Sequence, residues 1–436
     1  MSRNLFGTDG VRGVAGEFPL NSEGMIKIGR AVGTRFAEAG QTVVLGFDPR
    51  ESSTELANSI TQGLTEVGVS VVSVGVIPTP GIAYLTREHG QFVAGIMITA
   101  SHNPYNYNGV KVFDGLGDKL ADEIEAELNS MIENGVPDRG LGSTSEEVNL
   151  IEQYEDFLVS SADGLSLDSL SIGLDSANGA ASGLAQRVFE RLGAKVTPIF
   201  DKPDGKNINA GCGATDTQEL AVIVAENKLS LGIAVDGDAD RLFMIDEQGR
   251  EVKGDYIMYL LAVAGNLDGV VATVMSNFGF EAALKAKNIK LERTQVGDRY
   301  VLEGLARTGY KLGGEQSGHI ILPDLLKTGD ALLAAVQTVK AVSASGKSLA
   351  QWCDEVRLLP QALVNIPLED KSLLDSSEVK GYINDKSMQL GETGRLLIRP
   401  SGTEPLARVM VEAPEAEKLA KQFAEELKVI INKLGK

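Results

Sequence analysis

Leu231–Arg241 reads LGIAVDGDADR: five apolar or small residues, then an aspartate at every second position and an arginine. A run this short, closed by turn formers, predicts a buried strand that ends in a polar loop. The same grammar recurs in Thr42–Asp48 (TVVLGFD), Val69–Val76 (VSVVSVGV), Phe92–Ser101 (FVAGIMITAS), Leu170–Asp175 (LSIGLD) and Val270–Asn277 (VVATVMSN), with helical patterns after most of them. Strands alternating with helices specify an α/β architecture with mostly parallel sheets, whose chemistry sits at the carboxyl ends of strands. The rhythm comes three times, each unit having one strand that ends in a polar turn and another that ends in a longer loop. Turn formers and charge at Gly135–Glu147, a hairpin-like Asp246–Asp255, and the change of pattern near Leu359–Pro360 mark boundaries. The expectation is three similar α/β domains, 1–150, 151–252 and 253–360, and a smaller α+β domain, 361–436. The last closes with a helix opened by Pro414, whose Leu419, Phe423, Leu427, Ile430 and Leu434 form an apolar stripe.

The length of 436 residues agrees with several domains at roughly 150 residues each. Lys+Arg 41 against Asp+Glu 60 gives 41 − 60 = −19, a field that repels nucleic acid and anionic membrane surfaces. An anionic substrate therefore needs a locally basic pocket, which makes clustered Arg and Lys informative. Two cysteines, Cys212 and Cys353, cannot form a disulfide framework, and three scattered histidines cannot build a His-rich metal centre. With no basic-then-apolar leader and no long apolar run, the expected location is the cytoplasm.

Four loops carry chemistry. Asp236, Asp238 and Asp240 put hard oxygen ligands on one turn, suited to Mg²⁺ or Ca²⁺. An EF-hand is excluded because Arg241 stands where its turn needs Gly and strands flank the loop. A solvated acidic turn and an aspartyl phosphatase with Asp236 as nucleophile remain alternatives. The loop Thr99–Pro104 (TASHNP) exposes Ser101 at a strand end, as a nucleophile, a phosphate carrier or a capping serine. The adjacent His102 counts for little, since consecutive side chains usually diverge. In Gly313–His319 (GGEQSGH), Glu315 and Ser317 could grip vicinal sugar hydroxyls. Arg399–Pro405 (RPSGTEP), with Arg408 beyond, offers an Arg fork, two hydroxyls and backbone N–H groups to a phosphate.

Taken in order, TASHNP, DGDADR, GEQSGH and RPSGTEP resemble the α-D-phosphohexomutase superfamily along nearly the whole chain. FGTDGVRG at Phe6–Gly13, the Gln in GEQSGH, Met275-Ser276-Asn277 and Val296-Gly297-Asp298-Arg299-Tyr300 resemble its bacterial phosphoglucosamine mutase branch. The resemblance implies four domains around a central cleft and interconversion of glucosamine 6-phosphate and glucosamine 1-phosphate through a 1,6-bisphosphate, toward UDP-N-acetylglucosamine. It makes Ser101 the phosphate carrier and gives one Mg²⁺ to Asp236, Asp238, Asp240 and a phosphoserine oxygen. It further assigns the sugar to Glu315 and Ser317, and the nontransferred phosphate to Arg399, Ser401, Gly402, Thr403 and Arg408. Arg12, Arg50, Lys111 and Arg241 match basic positions near the transferred phosphate, and Lys111 and His319 are candidates for proton transfer. A glucosamine or glucose 1,6-bisphosphate is the implied activator, with a homodimer left open. The alternatives are a phosphomannomutase or phosphoglucomutase of the same superfamily, and a noncatalytic sugar-phosphate-binding regulator.

Overall fold

The computed structural model describes residues 5–7, 10–401 and 404–434. These form two compact units, one of the described residues up to 275 with 288–354, the other of residues 276–287 with the described residues from 355 onward.

The first unit contains three sheets with one repeated core. In the first, Ser70–Val76, Thr42–Phe47, Phe92–Ile98 and Tyr107–Asp114 lie side by side. The first three are parallel and the fourth is antiparallel. Lys195–Ile199, Ser171–Asp175, Leu231–Val235 and Leu242–Asp246 repeat this order and these directions. So do Lys290–Thr294, Gly269–Thr273, Gly313–Gly314 and Ile320–Ile321. Ahead of the third strand of each core runs a helix: Thr79–Glu88, Gln218–Glu226 or Asp298–Thr308. The tripled rhythm of the sequence is thus a tripled topology, with mixed sheets because each core ends in a hairpin back to an antiparallel strand.

The central strands, such as Leu231–Val235 and Gly269–Thr273, are apolar and buried because both faces of the sheet are covered, whereas the edge strands Lys195–Ile199 and Lys290–Thr294 carry polar residues. Val43 and Leu45 join Met25, Ile28, Ile60, Leu64 and Leu128 on one side of the first sheet. Val44 joins Ile82, Leu85, Met97 and Phe113 on the other. Alternate residues of one strand therefore feed two cores, and the strand cannot slip by one residue without exchanging them.

In the second unit Leu406–Glu412 lies between Gln361–Pro367 and Arg395–Pro400, antiparallel to both. The helix Ala416–Leu434 covers this sheet with Phe423 and Leu427 buried and Leu419, Ile430 and Leu434 packed beside them, as the stripe predicts. Pro414 does not open that helix. It stands two residues ahead, in a turn closed by the Ala416 N–H on the Ala413 carbonyl (3.1 Å). Asn277 ties residues 276–287 to this unit, since its Oδ1 accepts from Leu359 N (2.9 Å) and Gly279 N (2.9 Å).

Candidate active site

The third strand of each core in the first unit ends in a loop singled out from the sequence. Ser101 follows Phe92–Ile98, the aspartates follow Leu231–Val235, and Glu315 follows Gly313–Gly314. Carboxylate oxygens of Asp236, Asp238 and Asp240 lie within 4.8 Å of one another, and all three residues are buried. Carboxylates this close repel by a few kcal/mol per pair even at a generous effective dielectric. Burial, then Asp240 and Asp238, accordingly push Asp236 well above the ordinary carboxylate range. Burial works the same way on Asp240, but Lys111, His319 and Arg241 outweigh it and hold that group well below the range. Asp238 Oδ1 and Asp240 Oδ1 are buried without a hydrogen-bond partner. Oxygen-rich, anionic and partly unsatisfied, the cluster fits a hard divalent cation.

Three parts of the chain clamp this loop by consecutive carbonyls. Ala180 N donates to Gly237 O (2.8 Å), Thr79 N to Asp238 O (2.9 Å) and Ala331 N to Ala239 O (3.0 Å). The Thr79 hydroxyl also donates to Asp238 Oδ2. Gly237 is required by close approach, because a Cβ there would lie 2.7 Å from the Ser101 carbonyl oxygen. Asp236 uses both oxygens as acceptors, Oδ1 from Asp240 N (3.1 Å) and Arg241 N (3.2 Å), Oδ2 from Ser101 Oγ (2.7 Å). Both carboxylate oxygens of Asp236 are thus engaged by donors of the chain itself, and it is the Ser101 hydroxyl that stands against Oδ2.

Ser101 itself has φ +52°, a left-handed conformation that costs a non-glycine residue about 1–2 kcal/mol. His102, expected to diverge from it, does not: its Nδ1 is 3.3 Å from Ser101 Oγ, because the left-handed turn brings the two side chains to one side. Burial, then Arg241 and Arg12, push the His102 pKa down to about 4, so this imidazole is neutral at neutral pH. Arg50 lies under the Ser101 loop. Its guanidinium is fully buried and donates to the carbonyls of Ser101 (2.8 Å), Asn103 (2.9 Å), Pro104 and Tyr107 (3.1 Å), beneath the loop rather than toward a substrate.

The remaining cations gather around the carboxylates. Lys111 Nζ donates to Asp238 Oδ2 (2.8 Å) and Asp240 Oδ2 (2.9 Å). Arg241 Nε is 3.8 Å from Asp240 Oδ1. His319 lies with Nδ1 3.9 Å from Asp240 Oδ2 and Nε2 3.5 Å from Asp298 Oδ2. Burial opposes its charge, but these two carboxylates prevail and raise its pKa. Glu315 Oε1 accepts from Gly297 N (3.2 Å), and its backbone N–H closes the turn on the His319 carbonyl (2.9 Å). Ser317 stands inside that turn, half-buried.

In the second unit Arg399 and Arg408 are directly opposed across neighbouring antiparallel strands. Like charges in that register repel unless an anion lies between them. Burial, then Arg408, lower the Arg399 pKa. Arg408 Nη2 donates to Ser401 Oγ (3.4 Å), and Lys371 Nζ donates to the Ser401 carbonyl (2.6 Å). Gly402 and Thr403 lie outside the described residues. Lys371 could not be found from sequence, being one lysine in an ordinary polar stretch.

Three α/β repeats and a small α+β unit, with a serine beside an aspartate cluster and a separate pair of arginines, define a fold and site class that known proteins share. Residues 3–138, 152–249, 253–358 and 363–429 match domain I, domain II, domain III and the C-terminal domain of phosphoglucomutase/phosphomannomutase. The chain belongs to the phosphoglucomutase/phosphomannomutase family. It is 45% identical over 432 residues to a phosphoglucosamine mutase of Thermus thermophilus, covering 98% of each chain. It is 42% identical over 446 residues to that of Alcanivorax borkumensis, covering 99% of this chain and 100% of the relative. A phosphoglucomutase/phosphomannomutase family structure from Burkholderia thailandensis shares the fold with a TM-score of 0.83 at 24% identity, covering 99% of this chain and 98% of that one. Among the described residues no helix is long and apolar enough to cross a membrane.

Proposed function

We propose that the protein interconverts glucosamine 6-phosphate and glucosamine 1-phosphate, carrying the phosphoryl group on Ser101. The observation that carries this reading is the Ser101 Oγ hydrogen bond to Asp236 Oδ2 at 2.7 Å, which puts a nucleophilic hydroxyl at the edge of a cation-binding cluster. The sugar is inferred from the relatives named phosphoglucosamine mutase at 42–45% identity over nearly the whole chain.

The phosphoserine gives its phosphoryl group to a free sugar hydroxyl. The bond from phosphorus to Ser101 Oγ breaks, one to the sugar oxygen forms, and the hydroxyl proton leaves for a base. The resulting 1,6-bisphosphate turns over and returns its other phosphoryl group to Ser101. Asp236, Asp238 and Asp240 would hold Mg²⁺, which supplies charge neutralisation on the transferring group when bound. Proton transfer is assigned to Lys111 and His319, the two titratable cations set against Asp240. Arg12 and Arg241 supply positive potential to the phosphoryl group; their field is what pushes His102 down after burial. Glu315 and Ser317 are assigned to the sugar hydroxyls. Arg399, Ser401 and Arg408, with Gly402 and Thr403, are assigned to the phosphate that does not react. A hexose 1,6-bisphosphate acts as activator because it loads an empty Ser101. Two free cysteines support a reducing cytoplasm as the location.

The test is Ser101→Ala, assayed with glucosamine, glucose and mannose 1-phosphates and a trace of bisphosphate. Turnover should vanish with sugar phosphate binding retained, and intact mass should show a phosphorylated fraction only in the parent chain. Parent-like turnover in the alanine variant overturns the reading.

A further inference from the structure

Beneath Ser101 lies a buried polar assembly whose side chains hydrogen-bond to the backbone of the Ser101 loop. Asp48, fully buried at the end of Thr42–Phe47, accepts at Oδ1 from Ser53 Oγ (2.9 Å) and Arg50 N (3.2 Å). At Oδ2 it accepts from Arg50 Nε (2.8 Å) and Thr99 Oγ1 (2.7 Å). Having given its proton to Asp48, the Thr99 hydroxyl keeps its lone pairs for the Ser101 N–H (2.9 Å). The other end of the Ser101 residue is held twice, its carbonyl accepting from Arg50 Nη2 (2.8 Å) and from Asn209 Nδ2 (2.9 Å). Asn209 comes from the second repeat and also reaches the Asn103 carbonyl (3.3 Å).

Both peptide groups flanking Ser101 are thus fixed by side chains, at a residue whose φ of +52° an unconstrained serine would leave. Rotation back to negative φ swings Cβ, and with it Oγ, away from Asp236. We propose that Asp48, Arg50, Thr99 and Asn209 are positioning residues that hold Ser101 in its left-handed conformation so that Oγ stays at the carboxylate cluster. This rests on the reading of Ser101 as phosphate carrier. Each member has a distinct task. Asp48 fixes the Thr99 hydroxyl rotor and neutralises Arg50, Arg50 gathers the carbonyls of Ser101, Asn103, Pro104 and Tyr107 around one planar fork, and Asn209 ties that loop to the repeat bearing the aspartates.

Breaking the Asp48–Arg50 pair would leave a buried charge unpaired and threaten folding, so the decisive variants are neutral ones. Thr99→Val keeps the shape and removes the acceptor for Ser101 N–H. Asn209→Ala removes one of two donors to the Ser101 carbonyl. Each should lower kcat on the order of 10–100-fold while KM for glucosamine 1-phosphate stays within about threefold, as expected for a displaced reacting atom. Loading of Ser101 by glucose 1,6-bisphosphate, followed by intact mass in quenched samples, should slow by the same factor. Thr99→Ser, which retains the hydroxyl, should recover most of the lost turnover. Unchanged kcat in Thr99→Val, a loss confined to KM, or no recovery in Thr99→Ser overturns the proposal. Should Thr99→Val fail to fold, the kcat and loading rate of Asn209→Ala decide in the same terms. Parent protein that neither turns over hexose phosphates nor takes phosphate on Ser101 overturns the functional reading and the proposal with it, whereas active parent protein with indifferent variants overturns the proposal alone.

Discussion

Asp330 should make the first unit less stable as pH rises through neutrality, and replacing it by asparagine should abolish that slope. The residue caps the helix Ala331–Ser345, accepting at Oδ1 from Leu333 N (2.9 Å) and at Oδ2 from the Tyr154 hydroxyl (2.9 Å). Burial, only partly offset by these bonds, pushes its pKa up from 3.8 to about 7. A carboxyl whose folded pKa is raised holds more protons folded than unfolded between those values, so its contribution to stability is complete at low pH and is lost as pH climbs through about 7. At 1.36 kcal/mol per unit, the full span is about 4 kcal/mol, of which about 3 kcal/mol falls between roughly pH 5 and pH 8.5. Asparagine keeps the cap acceptor and the shape, and the rotatable Tyr154 hydroxyl can accept from the new amide. Thermal unfolding followed across that range should give curves that diverge by several degrees, the variant gaining on its parent as pH rises. Asp175, also raised to about 7, titrates in both proteins and cancels in the difference. Curves that stay parallel from pH 5 to 8.5 would refute the assignment of a protonated Asp330.

Three further outcomes test the site itself. Asp238→Asn should weaken Mg²⁺ binding without unfolding the protein, and excess EDTA should abolish turnover of the parent chain, so activity in EDTA equal to that with Mg²⁺ would remove the metal from the reaction. Thr79→Val deletes the hydroxyl bonded to Asp238 Oδ2 but keeps the backbone clamp on the same residue; Mg²⁺ affinity by calorimetry should fall about tenfold or more. Arg399→Ala should cost about 2 kcal/mol in kcat/KM in both directions of the reaction, because one anchor must accept whichever phosphate is idle. A large loss for the 1-phosphate with none for the 6-phosphate would mean that the loop reads one end of the sugar only.

Periodicity and turn chemistry are properties of a short stretch of chain, and they survive in the sequence. That is why FVAGIMITAS and LGIAVDGDADR could be read as strands ending in chemistry, and why the three repeats were audible as rhythm before any pairing was known. Ser101, the three aspartates, Glu315 and Arg399 stand out as candidates for the same reason, since each stands in a local motif. What lay beneath them was not. Thr79 meets Asp238 across 159 positions and Thr99 meets Asp48 across 51, and nothing local to either residue marks its partner. Arg50 shows this most plainly: in sequence it is a cation near a phosphate loop whichever way it turns, and only packing directed its fork inward onto Asp48 and four carbonyls. The shifted groups follow the same rule. Asp330 and Asp175 are ordinary aspartates until the chain closes over them, because the cost of charging a carboxylate is set by the water it loses, and that loss belongs to the tertiary structure alone.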